Sequence, residues 1–287
     1  MKKYTVAIPT YNSSDYLKEC IYGFKNSKYL DEIIVSDDCS KIEELEAIRK
    51  IIKQANKKFN FEIKLFESSK NNGAFINKYN LILASRNEWV YQIDSDNVPF
   101  PKIDSVVSDI LLNHQDQKFI YYPTKLIQFW KYKRFAKLFG FTQKKYRVLF
   151  SKNSDIFNTE KTKEAINEFL NYDSSNDLEG SPSLKSAYLV DKHIFWVLNS
   201  GNFIVNRNQF LDAMKSGLDF TRENTAMDAV AFSYLWLNYG GSIFLHSDLS
   251  HYHRKRFNSV SYTEKESSVV SREYLTNKIL SLQNRDE

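Results

Sequence analysis

Four short β-rich runs, each closing on a polar loop, fill the first hundred residues and alternate with helix-patterned segments. Residues 4–8 stop at Pro9-Thr10-Tyr11-Asn12, and residues 32–35 stop at Ser36-Asp37-Asp38-Cys39-Ser40. Residues 61–66 lead to Lys70-Asn71-Asn72-Gly73, and the run from Trp89 to Ile93 ends in Asp94-Ser95-Asp96. Pro9 is expected to end the first strand, and Ser13 or a neighbour to cap the helix that follows. Amphipathic helices are expected over residues 13–24, over residues 42–57, and from Ala74 to about residue 85. Such alternation predicts βαβ units and an α/β fold with a mainly parallel central sheet and helices on both faces. Right-handed crossovers then gather the strand-end loops on one edge, where open α/β sheets bind ligands. That edge collects Thr10, Tyr11, Asp37, Asp38, Asn71, Asn72, Gly73, Asp94 and Asp96.

Asp94 and Asp96 are separated by one residue, so on an extended chain both carboxylates can point the same way. Two hard oxygen donors at a strand end suit Mg²⁺ or Mn²⁺. A solvated turn is the plainer reading, because Asp, Ser and Asn are ordinary turn residues. Neither G-x-G-x-x-G nor G-x-x-x-x-G-K-[ST] follows any of these strands, so a phosphate-bearing ligand there needs a metal bridge.

A content of 42% hydrophobic and 26% charged residues over 287 positions describes an ordinary globular chain with ample core. With only 8 Gly and 5 Pro, long disordered tracts are not expected. The first apolar run is too short for a signal peptide, and no stretch approaches the roughly 20 apolar residues of a membrane span. A cytoplasmic protein is the expectation. Two cysteines, Cys20 and Cys39, make neither a disulfide framework nor a zinc site, and both are expected reduced. Two of the chain's five His alternate at His251 and His253, just before Arg254, Lys255 and Arg256.

Pro9-Thr10-Tyr11-Asn12, the Asp37-Asp38 pair, Asn72-Gly73 opening a helix, and Asp94-Ser95-Asp96 resemble, in order and spacing, the nucleotide-sugar half of family 2 glycosyltransferases of the GT-A fold. The resemblance implies that Pro9, Thr10, Tyr11, Asp37 and Asp38 line the nucleoside site. Asp96 is then the main ligand of Mn²⁺ or Mg²⁺, with Asp94 and Ser95 nearer the ribose or sugar. The chain departs from the family's pattern at Cys39, where Gly is common, and at Lys78-Tyr79, where an Arg-Asn pair is common. As a candidate substrate contact, Lys78 supplies the charge without the planar fork.

The second half resembles the family more loosely. Ser200-Gly201-Asn202-Phe203-Ile204-Val205 corresponds to the strand that begins the acceptor side, so Gly201 and Asn202 are candidate substrate contacts. Asp228 corresponds to the Asp of a Glu-Asp pair that serves as catalytic base, with Met227 in place of the Glu. The residues make a case of their own for Asp228, which opens a helix whose apolar positions run through Val230, Phe232, Leu235 and Trp236. A carboxylate is favoured at that terminus, and capping is its plainer role. By resemblance, His251 or His253 completes the metal site, and Arg254 or Arg256 offsets the charge of the departing diphosphate.

Between the halves, residues 125–152 hold nine Lys or Arg and no Asp or Glu, interleaved with aromatics. Residues 126–139 pattern as an amphipathic helix. This stretch suits peripheral contact with an anionic membrane, an acceptor groove, or a buried helix with a solvated basic face; nucleic acid is not the expected partner. The expected organisation is a donor half over 1–122, a helical basic insertion and acidic loop over 123–190, an acceptor half over 191–260 and a terminal helix over 261–287. The activity this implies is inverting sugar transfer from a nucleoside diphosphate sugar to a hydroxyl of a glycan or lipid-linked glycan. A nucleotidyltransferase of related fold and a degenerate transferase acting as a carbohydrate or membrane binding module are the alternatives.

Overall fold

The computed structural model describes residues 3–114, 117–129, 145–149, 153–157, 201–219 and 228–254, with five isolated positions besides. Apart from Asn277, which is helical, the expected terminal helix over 261–287 lies outside the described residues, as do the acidic loop over 173–183, Arg256 and Met227.

The first third folds as its alternation predicts. Strand β1 (Tyr4–Thr10), helix α1 (Ser14–Tyr22), β2 (Leu30–Asp37), α2 (Ile42–Asn56), β3 (Glu62–Glu67), α3 (Ala74–Ala84) and β4 (Trp89–Gln92) follow one another. The strands pair in parallel in the order β3-β2-β1-β4. Pro9 does not end β1, which continues to Thr10 alongside Asp37. This is tolerated because β4 pairs with β1 only as far as Ala7, so the missing N–H falls beyond that ladder.

After the two-residue β5 (Val98–Pro99) and α4 (Ile103–Asn113), β6 (Phe119–Phe129) crosses the expected boundary between residues 122 and 123. The amphipathic helix expected over 126–139 is corrected at its described end. Residues 126–129 are strand, hydrogen-bonded to β7 (Lys145–Leu149), and residues 130–144 lie outside the described residues. β8 (Asp155–Phe157), β9 (Phe203–Asn206), α5 (Arg207–Met214), a 3₁₀ turn (Lys215–Gly217), α6 (Asp228–Asn238) and β10 (Ser242–Arg254) complete the described chain.

β9 lies between β4 and β6 and is antiparallel to both. β10 is parallel to β6, so β1, β2, β3, β4, β6 and β10 all run one way and end on one edge. The short β5, β7 and β8 pair antiparallel at the margins.

Strict alternation along these strands builds two cores. Ala7, Ile34, Val90, Ile120, Phe203, Val205, Ile243 and Leu245 face α3, α5 and α6. Val6, Ile8, Ile33, Val35, Trp89, Tyr91, Tyr121, Ile204 and Phe244 face α1, α2 and α4. Both faces are covered, as a sheet with crossover helices requires. α6 is buried along its length and stacks Phe232 on Phe75 of α3, with ring centroids 4.6 Å apart. Phe210 and Phe203 surround the same ring at 5.4 and 6.0 Å. Among the described residues no helix is long and apolar enough to cross a membrane.

Replacing Phe232 by Ala empties the centre of this aromatic cluster and is expected to lower unfolding free energy by about 3–5 kcal/mol. Urea unfolding followed by circular dichroism measures it; a loss below about 1 kcal/mol would mean that the cluster repacks.

Candidate active site

The ends of the parallel strands bring the expected residues to one crevice, and β9 determines which of them touch. Because β9 opposes β4, with Gln92 facing Phe203, the residues entering β9 lie beside those leaving β4. Asn202 therefore accepts the Asp94 N–H at 2.7 Å through Oδ1. Gly201 stands so close that a Cβ there would lie 2.6 Å from Asp94 Oδ2 and 3.2 Å from Lys78 Nζ. Only glycine fits without moving the carboxylate.

Asp94 pairs with Lys78, with Nζ 3.1 Å from Oδ1, and the same ammonium lies 2.8 Å from Asp228 Oδ2. Lys78 is buried on the face of α3 that also carries Phe75, Leu81 and Ile82. Burial alone would push its ammonium pKa down, but the carboxylates of Asp228 and Asp94 outweigh it and the net shift is upward. Three charges from α3, the end of β4 and the start of α6 thus converge in the crevice.

The turn after β4 is clamped from several sides. Asn97 N–H donates to the Asp94 carbonyl at 3.0 Å. Ser95 Oγ meets Ser13 Oγ at 2.8 Å, and Ser13 meets Thr10 Oγ1 at 2.7 Å, so three buried hydroxyls join β1, α1 and the turn. Ser13 precedes α1 as expected but makes no capping bond, its hydroxyl being used here. Arg254 Nε donates to the Asp96 carbonyl at 3.1 Å, its backbone N–H donates to Asn97 Oδ1, its Nη2 pairs with Glu19, and its guanidinium lies over the Tyr16 ring. Expected as a counter-charge for a diphosphate, this arginine is buried and holds the turn.

His251 belongs to a strand with neighbours on both sides, opposite Pro99 of β5 and Leu126 of β6. Its Nε2 lies 2.8 Å from Asn202 Nδ2. Since Asn202 Oδ1 already accepts from Asp94, Nδ2 donates, and Nε2 of His251 must be the unprotonated nitrogen. Burial, and secondarily His253, pushes the imidazole well below its usual pKa, in keeping with a neutral ring. Nε2 is thereby occupied and fits poorly as a metal ligand. His253 is half-buried, its ring 5.8 Å from that of His251.

The loops that follow β2 and β3 are preorganised by the carboxylates of Asp37 and Asp38. Asp37 accepts from the Ser40 N–H at 2.9 Å and from the Ser40 hydroxyl. Asp38 accepts from the N–H groups of Asn72 at 2.8 Å and Gly73 at 2.9 Å. Burial pushes the Asp38 carboxyl pKa up, against the pull of these two donors. Gly73, at φ 87°, adopts the left-handed backbone that this junction needs. Tyr11, 42% exposed, presents a ring on the rim. Cys20 is buried, with its thiol 3.9 Å from the Asp94 carbonyl, and Cys39 is exposed; both are free thiols.

Sequence reasoning missed Ser13, Glu19 and Asn97. Asn97 sits in the motif itself and was legible as a turn former, whereas nothing in α1 marks Glu19 as the partner of Arg254.

Among the described residues no group of three or more His, Cys, Asp or Glu converges as a metal cage. Asp94 is engaged by Lys78; Asp96, half-buried at the turn, is the carboxylate that the resemblance assigns to a divalent ion. One carboxylate suits Mg²⁺ or Mn²⁺ when phosphate oxygens and water supply the other ligands, so the donor set fits such an ion held jointly with a nucleotide.

The model of the family described as Glycosyl transferase family 2 matches residues 5–169. Among solved structures, the chain is similar to S. aureus TarS 1-349 in complex with UDP-GlcNAc, at 17% identity and a TM-score of 0.56 over 91% of this chain and 61% of that one. It is also similar to S. aureus TarS at 17% identity and a TM-score of 0.55, over 99% and 43%. A third similar structure is S. aureus TarS 1-349 in complex with UDP, at 16% identity and a TM-score of 0.54, over 99% and 71%. The chain thus spans 61% and 43% of the lengths of the first two. At these identities the likeness establishes the fold. No curated protein matches the chain.

The depressed His251 pKa has a signed consequence for stability. Its folded pKa lies below the unfolded value, so its contribution is complete above about pH 6.5 and is lost as pH falls below that. The urea midpoint is expected to fall between pH 7.5 and pH 5, and to fall less in His251→Gln; equal slopes in the two proteins would remove His251 as the cause.

Proposed function

The chain belongs to glycosyl transferase family 2, and on that footing we propose that it transfers a sugar from a nucleoside diphosphate sugar to an acceptor hydroxyl with inversion. The observation that carries this reading is the convergence of Asp94 and Asp228 on Lys78 at the carboxyl edge of the sheet. Two carboxylates of separate origin, held in one crevice by a buried cation, suit a site with a donor on one side and a base on the other.

In the proposed reaction the acceptor oxygen bonds to the anomeric carbon as the bond from that carbon to the diphosphate oxygen breaks. The electron pair leaves with the nucleoside diphosphate, and the acceptor proton passes to the Asp228 carboxylate. Asp228 is suited to this by its place at the start of α6, where its carboxylate is held 2.8 Å from the Lys78 ammonium and faces the crevice that Asp94 also enters. Attack from the face opposite the leaving group inverts the anomeric centre. Tyr11, Thr10 and the loop braced by Asp37 and Asp38 would line the nucleoside side. Mn²⁺ or Mg²⁺ at Asp96 would neutralise the diphosphate when bound. The acceptor proposed is a hydroxyl of a glycan or lipid-linked glycan, and contact with a membrane surface through residues 125–152 belongs to the same proposal.

UDP-GlcNAc is the first donor to try, because the similar TarS structure holds it, followed by other UDP, GDP, TDP and CDP sugars. Asp228→Asn is expected to lower turnover at least about 100-fold while binding UDP nearly as the parent does. Asp96→Ala and chelation by EDTA are each expected to abolish release of nucleoside diphosphate. Full turnover in Asp228→Asn would send the search for the base elsewhere, and turnover indifferent to EDTA would remove the metal.

A further inference from the structure

An ammonium on the apolar face of a helix is costly unless charges meet it, and a Met or Leu beside Phe75 and Ile82 would pack there at no such cost. The partners of Lys78 come from different halves of the chain. Asp94 follows β4 on the donor side, whereas Asp228 starts α6 on the acceptor side. Gly201 clears the space in which the three groups meet. The attachment of α6 itself does not depend on Lys78. Phe232 stacks on Phe75, and Tyr122 shares a 2.9 Å hydrogen bond with Ser233 in the same helix.

We infer that Lys78 is a positioning residue for sugar transfer, tying the proposed base on the acceptor half to the Asp94 carboxylate just after β4. Its ammonium sets the direction of the Asp228 carboxylate, so that the base stands in register with a donor held beside Asp94. Three donors on one nitrogen can serve two carboxylates from different directions, which a planar guanidinium does less readily. This inference rests on the proposed function and adds to it the group through which the two halves are aligned.

The test is a double-mutant cycle on steady-state release of UDP from the UDP sugar that turns over, using Lys78→Met, Lys78→Arg, Asp228→Asn and the combined variants. Lys78→Met is expected to lower kcat about 100-fold with donor KM changed less than about threefold, as for a misplaced group that does not itself bind donor. Lys78→Arg is expected to recover at least about tenfold of that loss. In the Asp228→Asn background Lys78→Met is expected to change kcat by less than about twofold, because its effect runs through Asp228. An equal loss in both backgrounds, a change confined to KM, or no loss overturns the inference. Urea unfolding checks each variant, and where Lys78→Met does not fold, Lys78→Arg carries the same comparison in both backgrounds. If Asp228→Asn alone keeps full turnover, or no donor turns over, the proposed function falls and this inference with it. If Asp228→Asn loses turnover while Lys78 variants do not, only the inference falls.

Discussion

β9 runs against its neighbours, and the crevice depends on that reversal. In an otherwise parallel run of strands, an antiparallel insertion presents its amino-terminal end at the carboxyl edge of β4. Gly201 and Asn202 are thereby delivered to Asp94, one by its lack of a side chain and the other by its amide. A parallel strand in the same place would have brought Asn206 there instead. The pairing also carries the second half of the chain into the same sheet as the first, so groups from both halves share one frame.

Buried polar groups concentrate at the two edges of that sheet. At the edge where the strands begin, Glu32 is buried and accepts from Thr5 at 2.8 Å and from the Arg86 N–H at 2.9 Å, with Lys64 3.0 Å away. Arg86 also reaches Asp31 and Glu62. That network joins consecutive elements of the first third. At the opposite edge the bonds span the chain, with Lys78 reaching Asp228, Glu19 reaching Arg254, and Asn202 reaching both Asp94 and His251. The first edge holds neighbours together, whereas the second gathers distant segments around a cleft.

Much of the first third was legible because its signals are local. Alternation of β-rich runs with amphipathic segments needs only short-range periodicity, and each loop expected at the carboxyl edge lies there. Where the reading went astray, a local signal had two outcomes. Residues 126–129 carry aromatic and apolar residues that suit either a helix face or a strand, and pairing with β7 decided for strand. Pro9 signals a strand end, yet the early departure of β4 let β1 run one residue further. Ser13 has the chemistry of a helix cap, but two hydroxyls stood nearer.

The sequence by itself determined the α/β alternation, the edge at which the polar loops gather, and the presence there of Asp94, Asp96 and, across the chain, Asp228. Only the tertiary structure decided how these groups are used. Arg254 and His251 carry the chemistry of a counter-charge and a metal ligand, but one holds the Asp96 turn and the other accepts from Asn202. Lys78, whose partner the spacing did not reveal, stands between two carboxylates. The reason is one of range: a side chain's composition fixes what it can donate or accept, but a hydrogen bond or ion pair forms only within about 3 Å. Which residue comes that close, from a hundred or more positions away, is set by strand order and direction.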